Sequence, residues 1–127
     1  MTTLNLKDSL SKGTLELAIL YLLSQKDMYG YEISQTIYEK STHEFKVNSA
    51  AMYSALFRLT EDGYVTSYEQ TVGQKMVRVY YHLEPAGKAQ LDLTYAAFIR
   101  QQQAIASLFD LSQENDTLGE SNETGTA

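Results

Sequence analysis

Along the first half of the chain, apolar residues return at helical spacing in three separate stretches, and then the pattern switches to alternation. Leu15, Ala18, Ile19 and Leu22 line one face of a helix that Thr14 caps and the polar run Ser24 to Asp27 ends. Its capping box is incomplete, because Leu17 stands where a glutamate or glutamine would close it. A second helix opens at Tyr29-Gly30-Tyr31 and continues through Ile33, Ile37 and Tyr38 to about Ser41, with Gly30 removing the side chain that would hold two helices apart. The polar link Thr42 to Val47 carries a short strand at Phe45 to Val47. Asn48 or Ser49 then caps a third helix with the buried stripe Met52, Ala55, Leu56 and Leu59.

Gly63 ends that helix, and the period changes from helical to alternating. Tyr64 to Thr71 and Met76 to Leu83 are rich in Tyr, Val and Thr and predict two antiparallel strands, joined by the exposed loop Val72-Gly73-Gln74-Lys75. Val77, Val79, Tyr81 and Leu83 share one face. The only proline, Pro85, opens a last helix where its missing N–H costs nothing, and that helix runs to about Phe109. Leu91, Tyr95, Phe98, Gln102, Ile105 and Phe109 follow one another at heptad spacing with a single polar break, which is a seam for a partner helix. From Asp110 onward the composition cannot bury enough apolar surface to offset chain entropy, and the expectation is a disordered tail.

These elements predict a mainly α fold with a small β-hairpin: a winged helix-turn-helix over residues 1–84, a long C-terminal dimerisation helix over 85–109 and an acidic tail over 110–127. Length agrees with one small domain at 127 residues. The absence of cysteine excludes disulfides and thiolate chemistry, and the polar N-terminus is no signal peptide, so a cytoplasmic protein is expected. The longest apolar run, Leu17 to Leu23, is too short to span a bilayer.

Charge changes the picture only when it is divided. The net charge of −6 looks wrong for a nucleic-acid binder, yet residues 1–109 carry only −1 of it and residues 110–127 the remaining −5. A near-neutral body binds DNA if its basic residues gather on one surface. The third helix carries short side chains on its free face, as an element entering a groove requires. Its N-terminal N–H groups at Asn48, Ser49 and Ala50 suit a phosphate, Ser49, Tyr53 and Ser54 face the groove, and Arg58 reaches a phosphate one turn on. Gln74, Lys75 and Arg78 on the hairpin, with Lys46 before the helix, add salt-dependent affinity. Tyr53 also reads as packing at a helix edge, and the hairpin charges as ordinary solvated charges.

Tyr95, Phe98 and Gln102 frame an effector pocket for a planar ligand at the dimer centre, although a plain helix seam explains them as well. His43 and His82 have no carboxylate or cysteine at metal-ligand spacing, and neither a phosphate loop nor paired carboxylates appear, so no cofactor, no metal and no enzyme activity are expected.

Thr14-Leu-Glu-Leu-Ala-Ile-Leu-Tyr-Leu-Leu23, Met28-Tyr-Gly-Tyr-Glu-Ile33, Met52-Tyr-Ser-Ala-Leu56 with Leu59 and Glu61-Asp-Gly63, and Tyr80-Tyr-His-Leu-Glu-Pro-Ala-Gly87 together resemble the PadR family of bacterial transcriptional regulators. The resemblance covers about residues 13–109 and rests on several motifs recurring in order. It implies a homodimeric repressor on double-stranded DNA, of the short subfamily with one dimerisation helix. For some members it implies release by phenolic or flat aromatic effectors held between subunits. Ser54 stands where the family often has proline, Glu84 where it usually has threonine, and the wing is poorer in Arg and Lys than is common. The third helix is also short of bidentate side chains, so specificity is expected to lean on helix spacing, DNA shape and the wing. The rival expectation is a winged-helix module that binds another protein.

Overall fold

The computed structural model describes residues 10–109 and builds them from four helices and three strands. Helix α1 spans Lys12–Gln25, strand β1 Met28–Tyr29, helix α2 Gly30–Lys40, helix α3 Ser49–Glu61, strands β2 and β3 Val65–Val72 and Met76–Leu83, and helix α4 Pro85–Leu108. The expected fold is therefore present: mainly α, with a small antiparallel sheet in a winged-helix order. The tail expected to be disordered lies outside the described residues.

The periodic stripes became the core. Leu15, Ile19 and Leu22 of α1, Ile33 and Ile37 of α2, and Met52, Ala55, Leu56 and Leu59 of α3 are all buried against one another, joined by Leu20, Leu23, Met28 and Val65. Burying a Leu or Ile side chain in such a cluster contributes about 1.5–3 kcal/mol relative to exposure, so the three stripes hold the helices together. The capping chemistry differs at α1, where Ser11 rather than Thr14 is the N-cap and accepts from the Thr14 N–H at 3.1 Å. Asn48 caps α3, its Oδ1 accepting from the Ala51 N–H at 2.8 Å. Gly63 turns the chain after α3 with a φ of 79°, in the left-handed region where glycine is unstrained.

The strand expected at Phe45 to Val47 does not form; Phe45 and Val47 instead tuck their side chains against the core. The sheet's third strand is β1, in the order β1-β3-β2, with Met28 opposite Tyr81 and Tyr29 opposite Tyr80. In the hairpin, Val65 pairs with Leu83 and Val72 with Met76. Of the expected apolar face of β3, Tyr81 and Leu83 pack on the core while Val77 and Val79 extend past it and stay exposed.

The chain divides into two compact units, the first ending at Asp92 and the second beginning at Leu93. The expected domain boundary lay after residue 84, and the opening turns of α4, to Asp92, fall in the first unit. Leu91, assigned from sequence to the dimer seam, is 6% exposed and part of the winged core. The apolar surface that buries it belongs to its own chain.

Candidate nucleic-acid interface

The outward face of α3 is built from what its core stripe leaves over. Ser49, Ala50, Tyr53 and Ser54 are exposed, and none is large except Tyr53. The first-turn N–H groups of a helix lack intrahelical partners, and the first backbone bond of α3 is from the Met52 N–H to the Asn48 carbonyl, so Ser49 and Ala50 present free donors there. The Asn48 side-chain oxygen is engaged in the cap.

Tyr53 has a close neighbour in α2. Its hydroxyl and ring edge lie over Gly30, where any Cβ would collide with the phenol. Tyr81 of β3 has its hydroxyl pKa pushed up by burial first and by the Tyr53 phenol second. The ring is nonetheless half exposed, so it packs and faces solvent at once.

Arg58, expected to reach a phosphate, has two partners within the chain. Its Nε donates to Glu16 Oε2 of α1 at 2.6 Å and its Nη1 to Ser54 Oγ at 2.9 Å, with both ionic partners about two-thirds buried. The guanidinium thus ties α3 to α1 and fixes the Ser54 hydroxyl. Glu16 was missed from sequence because it lies 42 residues away.

On the hairpin, Gln74 and Lys75 are exposed in the turn that follows Gly73, whose φ is 65°. Arg78 is half-buried on the sheet's outer face, its guanidinium carbon 4.3 Å from the centre of the Tyr29 ring. Tyr29, Tyr80 and Tyr68 continue that face as cross-strand aromatic neighbours, with centroids 5.5 and 5.8 Å apart. Asp27, in the turn before β1, accepts from the Tyr68 hydroxyl at 2.7 Å and pairs with His82 Nδ1 at 2.9 Å, so one carboxylate grips both hairpin strands. The hydrogen bond to Asp27 raises the His82 pKa above its usual 6.5, and the Asp27 and Glu84 charges reinforce it against partial desolvation. Desolvation alone would raise the Asp27 pKa, but the hydrogen bonds from Tyr68 and His82 and the imidazolium charge hold it below its usual 3.8.

Lys46 is exposed beside a concave region that sequence reasoning missed. A cleft of about 500 Å³ separates Tyr31, Ser34, Gln35 and Tyr38 of α2 from Lys46, Ser49 and Tyr53. The four α2 residues recur at the spacing of one helix face, opposite Ile33 and Ile37, and that signal was present in the sequence. The turn that brings Lys46 across is unusual: Thr42 and His43 have φ of 53° and 67° without being glycine. Such residues cost about 1–3 kcal/mol each and persist where surrounding structure over-determines them. Here the His43 ring stacks on Tyr38 at 4.5 Å and the His43 backbone N–H donates to the Tyr38 carbonyl at 2.8 Å.

The residues expected to form the dimer and effector surface fall in the second unit, Leu91 excepted. Tyr95, Gln102, Ile105 and Phe109 are exposed on α4 and Phe98 is half-buried. Among the described residues no group of three or more His, Cys, Asp or Glu is arranged to hold a metal ion, and no helix is long and apolar enough to cross a membrane.

Known proteins share this arrangement. The family model for the transcriptional regulator PadR-like family matches residues 19–93. An uncharacterised protein of Lysinibacillus sphaericus is 30% identical over 108 residues, spanning 85% of this chain and 95% of that protein. The negative transcriptional regulator PadR of Bacillus subtilis is 30% identical over 77 residues, 61% of this chain and 42% of that protein. Among solved structures, a transcriptional regulator from Clostridium thermocellum superimposes with a TM-score of 0.69 at 31% identity, covering 76% of this chain and 90% of that one. A PadR family transcription regulator from Clostridium difficile gives 0.64 at 29% identity, covering 75% and 96%. Family match, relatives and fold agree with the motifs and their order, and the chain belongs to the PadR-like family of transcriptional regulators, whose members regulate genes and are not enzymes.

Proposed function

We propose that the protein is a cytoplasmic repressor that binds a palindromic DNA operator as a homodimer and is released by a small aromatic effector. The observation that carries this reading is the outward face of α3, where Ser49, Ala50 and Tyr53 stand exposed beside free helix N–H donors, with a hairpin wing in the same compact unit. A helix with that face enters the major groove without clash, its N-terminus meets a phosphate, and Lys75 and Gln74 approach the neighbouring backbone. Ser54 is oriented for the groove by Arg58, and Lys46 supplies a charge at the helix entrance. Each half-site receives one α3, and half-sites about 10 bp apart match a two-fold dimer. The exposed stripe Tyr95, Gln102, Ile105 and Phe109 with Phe98 supports pairing of α4 with its copy. The B. subtilis relative described as a negative regulator supports repression.

A mobility-shift titration on the promoter region of the adjacent genes tests the reading. The expected outcome is a salt-sensitive complex weakened by Tyr53→Ala and by Lys75→Ala. No complex, or one indifferent to salt and to both substitutions, overturns it and favours a winged helix that binds another protein through its exposed tyrosines.

A further inference from the structure

Along α3, Ala50, Ser54, Phe57 and Glu61 follow one another at steps of four, three and four, which sets them on one line opposite the buried stripe Met52, Ala55, Leu56 and Leu59. All four are exposed. The side chains flanking that line lean on neighbouring helices, since Tyr53 lies over Gly30 of α2 and Arg58 is bonded to Glu16 of α1. The line is therefore the crest of the helix. Its largest member is Phe57, 65% exposed and missed by sequence reasoning. Ser54 Oγ accepts from Arg58 Nη1 at 2.9 Å, which leaves the hydroxyl its own proton to donate. Helical side chains lean toward the N-terminus, so the Phe57 ring inclines over the turn that carries Ser54. The Arg58 guanidinium is engaged by Glu16 and Ser54, and Glu61 closes the line with a charge that phosphates repel, so the third turn of the crest offers DNA an apolar contact. A hydroxyl donor with an apolar ring beside it matches one base edge. In the major groove thymine alone presents an acceptor, O4, next to a methyl group, whereas cytosine presents an amine donor and no methyl.

We propose that Ser54 and Phe57 together read one thymine in each half-site, the Ser54 hydroxyl donating to O4 and the Phe57 ring covering the C5 methyl. Arg58 is then a positioning residue, holding the Ser54 oxygen so that its proton points outward. The inference rests on the DNA reading above and deepens it, naming a base where that reading names only a groove. One thymine per half-site is a modest preference, and it leaves the larger share of selectivity to the spacing of two copies of α3.

The test uses the full chain and duplexes carrying the promoter segment that it protects from nuclease. Each thymine of a half-site is replaced in turn by deoxyuridine, which keeps O4 and loses the methyl, and affinity is read by fluorescence anisotropy. One thymine per half-site is expected to show a loss of about fourfold, the contribution of one buried methyl, and in Phe57→Ala that thymine and deoxyuridine should bind alike. At the same position 5-methylcytosine paired with guanine keeps the methyl and exchanges O4 for an amine, and the parent chain should reject it more strongly than Ser54→Ala does. Ser54 and Phe57 are exposed, so both variants fold, and circular dichroism checks that they do. No thymine whose methyl matters, or a methyl effect that survives in Phe57→Ala, overturns the assignment. So does a Phe57→Ala chain that loses DNA binding altogether, because the ring then does more than cover a methyl. Equal rejection of 5-methylcytosine by the parent and by Ser54→Ala overturns the Ser54 half. A complex that forms but ignores the methyl keeps the operator and overturns only the base assignment, whereas no complex on any duplex overturns both.

Discussion

A methyl group added at Gly87 would press on the Tyr64 carbonyl oxygen and lie 2.6 Å from Leu83 Cδ1, so part of what it meets is backbone. At Gly30 the nearest atoms the same methyl would meet all belong to the Tyr53 phenol, with Cζ at 2.6 Å and Cε1 at 2.9 Å, the far end of a half-exposed side chain that yields more readily than backbone. Gly87→Ala is therefore expected to lose about 1–3 kcal/mol in urea unfolding, despite the better helix propensity of alanine. Gly30→Ala should lose less stability and reveal itself in weaker DNA binding, because it evicts Tyr53 from its seat. Equal stability losses would refute the distinction. Arg58 belongs to the same scale. Its bond to Glu16 is a partly exposed ion pair, so a double-mutant cycle with Glu16→Ala and Arg58→Ala should give a coupling of about 0.2–1 kcal/mol. A cycle showing no coupling would leave Arg58 available for the phosphate role its position in sequence suggested.

Among the elements, the long periodic ones were legible and the short ones were not. The stripes of α1, α2 and α3 could be read because burial demands the same residue type at every turn, and Asn48 could be read because a cap requires a short polar side chain. Strand β1 could not: Met28 and Tyr29 are two residues with no period, made a strand only by Tyr80 and Tyr81 arriving from far along the chain. The same is true of Glu16 beside Arg58 and of the left-handed turn at Thr42 and His43, which no composition signals. The wing's anchor is another long-range product. Asp27 holds Tyr68 and His82 together, and the pKa directions fix how that anchor responds to pH. His82 is raised above 6.5 in the folded chain, so its contribution is complete below about pH 6.5 and is lost as pH rises through the raised value. Asp27 is lowered below 3.8, so its contribution is present above about pH 4 and is lost as pH falls through the lowered value. Wing anchoring should be firmest between these limits. An NMR titration of the His82 ring should give a midpoint above 6.5 that falls back in Asp27→Asn; a midpoint that ignores the substitution would assign the shift to something else.

At the scale of the whole molecule, the proposed homodimer would recognise its operator through the distance at which two copies of α3 are held, because one copy has few groups that distinguish bases. Ser49, Ala50 and Tyr53 offer no bidentate pair, and the Asn48 side-chain oxygen already accepts from its cap. A monomer on a half-site should bind weakly and with little preference, and the proposed pairing through α4 would supply the rest by making the second contact intramolecular. The transfer of Leu91 to the winged core leaves Tyr95, Phe98, Gln102, Ile105 and Phe109 for that task. Ile105→Lys with Phe109→Lys places two charges on the proposed seam, at residues outside the unit that ends at Asp92. The variant is expected to sediment as a monomer, to keep its circular dichroism and urea midpoint at low concentration, and to lose about a hundredfold or more in operator affinity. Inserting about 5 bp between half-sites, half a helical turn, should penalise the parent chain comparably, since the second α3 then faces the wrong side of the duplex. The same insertion should leave the monomeric variant's weak binding unchanged. If the parent tolerates the insertion, α3 reads each half-site unaided, and the contacts that allow it must come from the α2 face and the wing.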